Sequence, residues 1–365
     1  MQRSPVGIQN FPYIFYENSK WMPLEENSEL VQLEPEQHRS YWDQSGIGDS
    51  NWDPMQVGPI LASKAVAYIE KHTADNPNQP FFMQYNSQAV HLPHTPPAEL
   101  DGVAIAGSTP GTHGDMVHEL DTQVGMIIKC LKETGIYENT LMIFTSDNGG
   151  LYTVNQALAD AGHDSTNGLR GSKGNIYEGG DRVPFVAVWP KMIQASAQSQ
   201  EPVVGHDIVA TMAAITGQTI SKDIVMDSLN LLPMLFGEEI SGGHDVILHQ
   251  SPNALPPQPE IRPQSPDILE QLGKMAHYAI RRDGWKLIIL APDKNKKSVK
   301  YAKPIALFNL SNNPLEDEDY NLIESEEYQS LINELFDKYI EIREKDNATV
   351  NNYSFDFLSL YFLEL

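Results

Sequence analysis

The sequence predicts an α/β protein: a mostly parallel β-sheet flanked by helices, followed by a small antiparallel α+β subdomain. Three observations carry this expectation. Between Pro59 and Gly217, short and nearly unbroken apolar runs alternate with amphipathic stretches. Runs of that kind mark strands buried on both faces, as in a sheet covered by helices. Beyond about Gly237 the alternation stops and a hairpin signal appears, Asp283-Gly284 between two apolar runs. Finally, 365 residues exceed one ordinary core. The expected division is 1–240 for the α/β part, 241–345 for the subdomain and 346–365 for a tail.

Taken in order, the first fifty-odd residues hold Pro5, Pro12, Pro23 and Pro35 among scattered aromatics, and read as an extended loop packed on something larger. Leu61, Ala65, Tyr68 and Ile69 fall at helical spacing. Phe81 to Tyr85, opened by Pro80, is a short buried strand. Met116, Leu120, Val124, Ile127 and Leu131 form the next helical face, which stops at Gly135. Thr140 to Asp147 is an apolar strand ending in polar residues, Pro184 to Trp189 another, and His206 to Ile215 a helix with Gly217 behind it. In the second part, His244–His249, His277–Arg281, Trp285–Ile289 and Ala306–Asn309 are strand-like, and Tyr328 to Ile342 is helical. Pro252 to Pro266 reads as a loop, and the apolar tail from Phe355 is too short to span a membrane.

Composition narrows the function. Asp and Glu total 49 against 25 Lys and Arg, a net charge of −24, which excludes the basic footprint of a nucleic-acid binder. An anionic small molecule would need local positive charge or a metal working against that field. No run approaches the ~20 apolar residues of a membrane helix, and the first fifteen residues lack the apolar core of a secretory signal. Cys130, the single cysteine, rules out an intramolecular disulfide and a cysteine-based zinc site, and reads as a small core residue.

Three segments carry candidate chemistry. In Gln88-Ala-Val-His-Leu-Pro-His-Thr-Pro-Pro97, His91 follows a strand and is stiffened by proline, a setting for a proton donor or anion ligand; taken alone, a surface loop with two ordinary histidines is the better explanation. Ser146-Asp147-Asn148-Gly149-Gly150 ends a strand with a carboxylate and an amide oxygen, suited to a hard cation, and its glycines allow a sharp turn; the plain alternative is an Asn-Gly turn. Leu169 to Gly180 sets Arg170 and Lys173 among four glycines, a loop able to grip a tetrahedral anion or a merely solvated one. It is not a P-loop, because Gly174 follows Lys173. The following Arg182-Val-Pro-Phe-Val-Ala-Val-Trp-Pro190 reads as structural.

Together these residues resemble the sulfatase family of the alkaline-phosphatase superfamily. The resemblance runs from about Phe11 to Leu322, most specifically in PFFMQYNSQAVHLPHTPP, HELDTQVGMIIKCLKETGIYENTLMIFTSDNGG, LRGSKGNIYEGGDRVPFVAVWP and RRDGWKLI. It implies an alkaline-phosphatase-like sheet and hydrolysis of sulfate esters on a sulfated small molecule or glycan, in a periplasmic or extracellular setting. It also implies roles: His91 and Lys173 on the sulfate ester, Asp147 and Asn148 as two Ca²⁺ ligands, His94 as a substrate-contacting or rim residue, and His163 in the substrate pocket. The family's first strand, with its aspartate pair, and its C/S-x-P-x-R motif, source of the formylglycine nucleophile, have no counterpart in these 365 residues. The resemblance therefore implies a sheet incomplete on its N-terminal side and a chain inactive by itself. Two alternatives stay open: a non-catalytic protein binding a sulfated glycan or partner chain, and a phosphatase or phosphodiesterase of the same superfamily. Asn148, where two-metal relatives place histidine, argues against the latter.

Overall fold

The structure is a computed structural model that describes residues 2–3, 11–35, 45–151, 156–221, 227–238, 243–251, 275–292, 299, 302–349 and 360–364. The expected loop at Pro252 to Pro266 lies outside these residues. The N-terminal part is not the irregular loop the sequence suggests but a set of short antiparallel ribbons. These are β1 (Gln2–Arg3), β2 (Phe15–Glu17) and β3 (Lys20–Met22), then β4 (Leu30–Leu33) with β5 (Gly46–Asp49). Its aromatics are anchors: Tyr13, Phe15 and Trp52 are buried together against Val57, Ala89 and Met116. Strands of two to four residues leave too little alternation to be read from sequence.

Helices α1 (Val57–Asp75) and α2 (Thr112–Glu133) pack on each other, with strand β6 (Phe82–Tyr85) between them in sequence and the small ribbon β7 (Glu99–Leu100)–β8 (Val103–Ala104) before α2. Gly135, at φ 78°, takes the left-handed position just past α2. Strand β9 (Thr140–Thr145) shows why its run is apolar throughout. Met142 joins Ala65, Ile69, Ile127, Cys130 and Leu131 on the face that α1 and α2 cover. Leu141 and Ile143 point the other way, onto Trp189 and Ile208 of α5 (Asp207–Ile215). Each such side chain contributes roughly 1.5–3 kcal/mol through burial. Between β9 and α5 lie two short helices, α3 (Gln156–Asp160) and α4 (Glu178–Asp181), and strand β10 (Phe185–Val188).

The central sheet runs β10-β9-β15-β6, where β15 (Leu360–Glu364) is part of the apolar tail. Every adjacent pair in it is antiparallel, which corrects the expectation of a mostly parallel sheet. The reason is that a strand covered on both faces needs apolar residues whichever way its neighbours run. The pattern carries burial, not direction. Strands β6 and β9 do point the same way, with β15 inserted between them: Leu360 lies opposite Tyr85, and Leu363 opposite Leu141.

After α6 (Leu232–Leu235), the chain forms a second sheet in the order β11 (Ile247–Ser251), β12 (Met275–Arg282), β13 (Trp285–Pro292), β14 (Lys303–Asn309), all antiparallel. Asp283 and Gly284, at φ 48° and 81°, make the tight β12–β13 turn. Helix α7 (Gln329–Thr349) covers one face of this sheet through Ile332, Leu335 and Tyr339. On the other, Ala279, Ile288, Ala306 and Phe308 pack with Ile176 and Tyr177 of the glycine-rich segment. The second sheet thus buttresses the loop that carries Lys173.

Candidate active site

Because β6 and β9 point the same way, the segments that follow them emerge at one end of the sheet. His91 comes six residues after Tyr85, and Asp147 two after Thr145. With Lys173, Asn148 and His163 they line one open cleft of about 600 Å³. Lys173 Nζ lies 3.3 Å from His91 Nε2. His91 Nδ1 is 2.9 Å from the Leu92 carbonyl oxygen, which can only accept, so Nδ1 carries the hydrogen and Nε2 offers its lone pair to the lysine. The ammonium and the imidazole nitrogen are thereby held against each other in the cleft.

Asp147 and Asn148 line the same cleft. Asn148 Nδ2 donates to the Gly149 carbonyl at 2.9 Å, a bond that does not use its Oδ1. A carboxylate with an amide oxygen fits a calcium ion, yet supplies two or three of the six to eight oxygens Ca²⁺ usually takes. Among the described residues no group of three or more His, Cys, Asp or Glu is placed to hold a metal. The two residues fit the ion as part of a site.

Backbone contact joins the turn after β9 to the glycine-rich loop that carries Lys173. Gly149 N–H donates to Gly180 O at 2.8 Å, Lys173 N–H to Gly150 O at 2.9 Å, and Gly179 N–H to Arg170 O at 2.7 Å. A Cβ on Gly149 would lie 1.9 Å from Gly179 O, and one on Gly179 would lie 2.4 Å from Gly171 O. These glycines are required for lack of room, not for the sharp turn their spacing suggests.

The Sulfatase family model matches residues 7–218, more than half of the chain. The chain belongs to the sulfatase family. It is similar to the N-acetylgalactosamine-6-O-sulfatase of Bacteroides thetaiotaomicron, with 31% identity over 286 residues, covering 69% of this chain and 54% of that protein. It therefore spans about half the length of this curated relative. In fold it is similar to a solved B. thetaiotaomicron structure from work on the metabolism of multiple glycosaminoglycans, with TM-score 0.70 and 22% identity over 93% of this chain and 71% of that one. The i-CgsB structure in complex with k-i-k-neocarrahexaose matches with TM-score 0.59 and 24% identity, over 81% and 57% of the two chains.

In this sulfatase-family chain, sequence reasoning missed three features of the cleft. His113, in the first turn of α2, lines it beside His163, and Arg182, read as structural, lines it too. His94 stands behind the lining: its ring is 5.1 Å from that of His113. Cys130 is buried in the core as expected, its thiol pushed up to about 11 by burial, and is no nucleophile.

The third feature lies under the floor. Tyr85 Oη and Ser87 Oγ both donate to Gln123 Oε1, at 2.7 and 2.8 Å, and Gln123 Nε2 donates to Glu119 Oε1 at 2.8 Å. Glu119 is buried, and burial pushes its carboxyl up to about 7, with the Gln123 bond pulling weakly the other way. Between pH 4.5 and 7 the folded state thus holds a proton that the unfolded state releases, so this group's contribution to stability falls as pH rises through that window. Glu119→Gln is expected to be more stable than the parent at pH 8 by about 1–3 kcal/mol and close to it at pH 5. Urea unfolding at both values measures this; a difference independent of pH would refute the assignment.

Proposed function

We propose that the cleft binds a sulfate ester, and that this chain supplies the anion-gripping half and part of the cation half of a sulfuric ester hydrolase site. The observation that carries the reading is the convergence of Lys173 and His91 at 3.3 Å, in the cleft that Asp147 and Asn148 also line. Lys173 can donate to a sulfate oxygen as a charge-assisted hydrogen bond. Proton uptake at His91 Nε2 would make the same nitrogen a donor to the leaving ester oxygen, with its ring held by the Leu92 carbonyl. Asp147 and Asn148 would hold Ca²⁺, which when bound stabilises negative charge on the sulfate oxygens.

No nucleophile motif of the C/S-x-P-x-R type occurs in the 365 residues, so these residues provide binding and proton transfer but no attacking group. On this reading the purified chain gives no turnover of an aryl sulfate; measurable turnover would overturn it. The similarity to a protein named N-acetylgalactosamine-6-O-sulfatase supports a sulfated small molecule or glycan as the ligand. Among the described residues no helix is long and apolar enough to cross a membrane.

The anion assignment is tested by calorimetric titration with phenyl sulfate and inorganic sulfate, with and without Ca²⁺. Lys173→Ala is expected to weaken both anions about tenfold or more, the loss of one charge-assisted hydrogen bond. Unchanged affinity would show that the lysine does not meet the anion.

A further inference from the structure

The residue just before His91 has a costly backbone. Val90 stands at φ 76°, in the left-handed region, and lines the cleft. A β-branched residue is a genuine outlier there, because its Cβ crowds the backbone carbonyl oxygen. Glycine or asparagine takes that conformation with far less strain. Strained backbone persists only where the surrounding structure holds it, and it gathers at functional sites.

The contacts that hold Val90 come from the polar group under the floor of the cleft. Ser87 Oγ donates to Gln123 Oε1 at 2.8 Å and accepts from the Ala89 N–H at 3.1 Å. Gln123 is fully buried in α2 and does not line the cleft. Its amide is fixed at both atoms, by Tyr85 Oη at 2.7 Å and by Glu119 Oε1 at 2.8 Å. Ala89 is itself buried among Trp52, Val57 and Met116. The chain is thus pinned at Tyr85, Ser87 and Ala89, and the turn toward His91 falls on Val90. Beyond it, the His94 ring bonds the Val90 backbone and holds the turn from its far side. A glutamine suits the place of Gln123, since a carboxamide oxygen accepts two hydroxyls while its nitrogen donates to a carboxyl.

We propose that Gln123, acting through Ser87, is a positioning residue for His91: the two hold the left-handed turn at Val90 that sets His91 Nε2 against Lys173. This rests on the reading of Lys173 and His91 as the sulfate grip. Gln123 reaches the ligand only by aiming the imidazole. Two consequences separate this role from plain support of the core. Loss of the Ser87 hydroxyl must disturb the His91 ring, and that effect must fade once residue 90 no longer resists the turn.

The experiment titrates the full chain with phenyl sulfate by calorimetry and follows the His91 imidazole by nitrogen NMR, its signals assigned with His91→Gln. Ser87→Ala is expected to weaken phenyl sulfate about fivefold, the worth of one hydrogen bond, and to shift the His91 signals. Ser87→Thr keeps the hydroxyl and should restore both. Gln123→Leu should cost at least as much as Ser87→Ala; thermal melting shows whether it folds, and if it does not, the two Ser87 variants decide. In a Val90→Gly background the left-handed turn carries no steric cost, and there Ser87→Ala should cost less than twofold. The proposal is overturned if Ser87→Ala leaves the His91 signals in place, if Ser87→Thr recovers nothing, or if Ser87→Ala costs as much in the Val90→Gly background as in the parent. Should the parent bind no phenyl sulfate, the sulfate reading has failed, and the His91 signals of the same variants still decide the positioning role.

Discussion

Replacing Lys286 by methionine is expected to destabilise the protein by about 3–5 kcal/mol, the cost of stranding buried charges by removing their partner. Lys286 is fully buried, with Nζ 3.0 Å from Glu178 Oε1 and 2.9 Å from Glu316 Oε1. Burial alone would depress the lysine, but Glu316 and Glu178 outweigh it and hold the ammonium above its usual range. Glu178 is likewise held low against burial by Lys286 and by Arg281 at 3.8 Å. Without the lysine, two carboxylates would share an enclosed space. Urea unfolding measures the loss, and a change below about 1 kcal/mol would refute the account. Adding Glu178→Gln and Glu316→Gln to the same chain should recover part of it, since neighbouring charges couple. The cluster also bears on the cleft. Glu178 opens α4 within the glycine-rich segment, and its N–H donates to Glu316 at 2.6 Å, so Lys286 ties β13 to the loop that presents Lys173. Phenyl sulfate affinity should therefore fall along with stability.

What the sequence could and could not say follows from which interactions are local. The run Thr140 to Thr145, the hairpin at Asp283-Gly284 and the helical face through Leu120 and Ile127 are legible because neighbouring residues write them. Strand direction is not local, and the insertion of Leu360 to Glu364 between β6 and β9 joins residues some 220 to 280 positions apart. His91, Asp147, Asn148 and Lys173 were legible as candidates because proline, glycine and strand ends frame them; that they line one cleft is a tertiary fact. His113 had no such frame: a histidine in a helix's first turn looks like solvated surface until the fold sets it beside a cleft. Arg182 stands at the head of an apolar strand segment, which reads as structural until the cleft beside it is known. Glu178 and Lys286 appear in sequence as two ordinary charges 108 positions apart, and only packing turns them into a buried pair.

At the glycines of the cleft, close approach rather than conformational freedom decides. Gly179→Ala would place a Cβ 2.4 Å from Gly171 O and 2.7 Å from Arg170 O. Both neighbours are backbone, so no side chain can swing aside, and the segment must move. That strains the bond from Gly179 N–H to Arg170 O and pushes the loop away from the turn after β9. Overpacking of this kind costs about 1–3 kcal/mol, and the weakened hydrogen bond adds about 1. The functional effect should be larger than the stability effect suggests, because the displaced segment fixes the distance between Lys173 and Asp147. Phenyl sulfate affinity is expected to fall about tenfold, since positioning the charge-assisted contact matters as much as possessing it. Gly125→Ala is the comparison: it lies in α2, exposed, with nothing within 4 Å of its Cβ, and should gain about 0.5–1 kcal/mol with binding unchanged. If the two alanine variants behaved alike, the backbone interlock between the turn after β9 and the glycine-rich loop would be wrong. If only Gly179→Ala loses binding, then the spacing of the two half-sites is set by the missing side chains at 149, 179 and 180, and not by the charged residues that line the cleft.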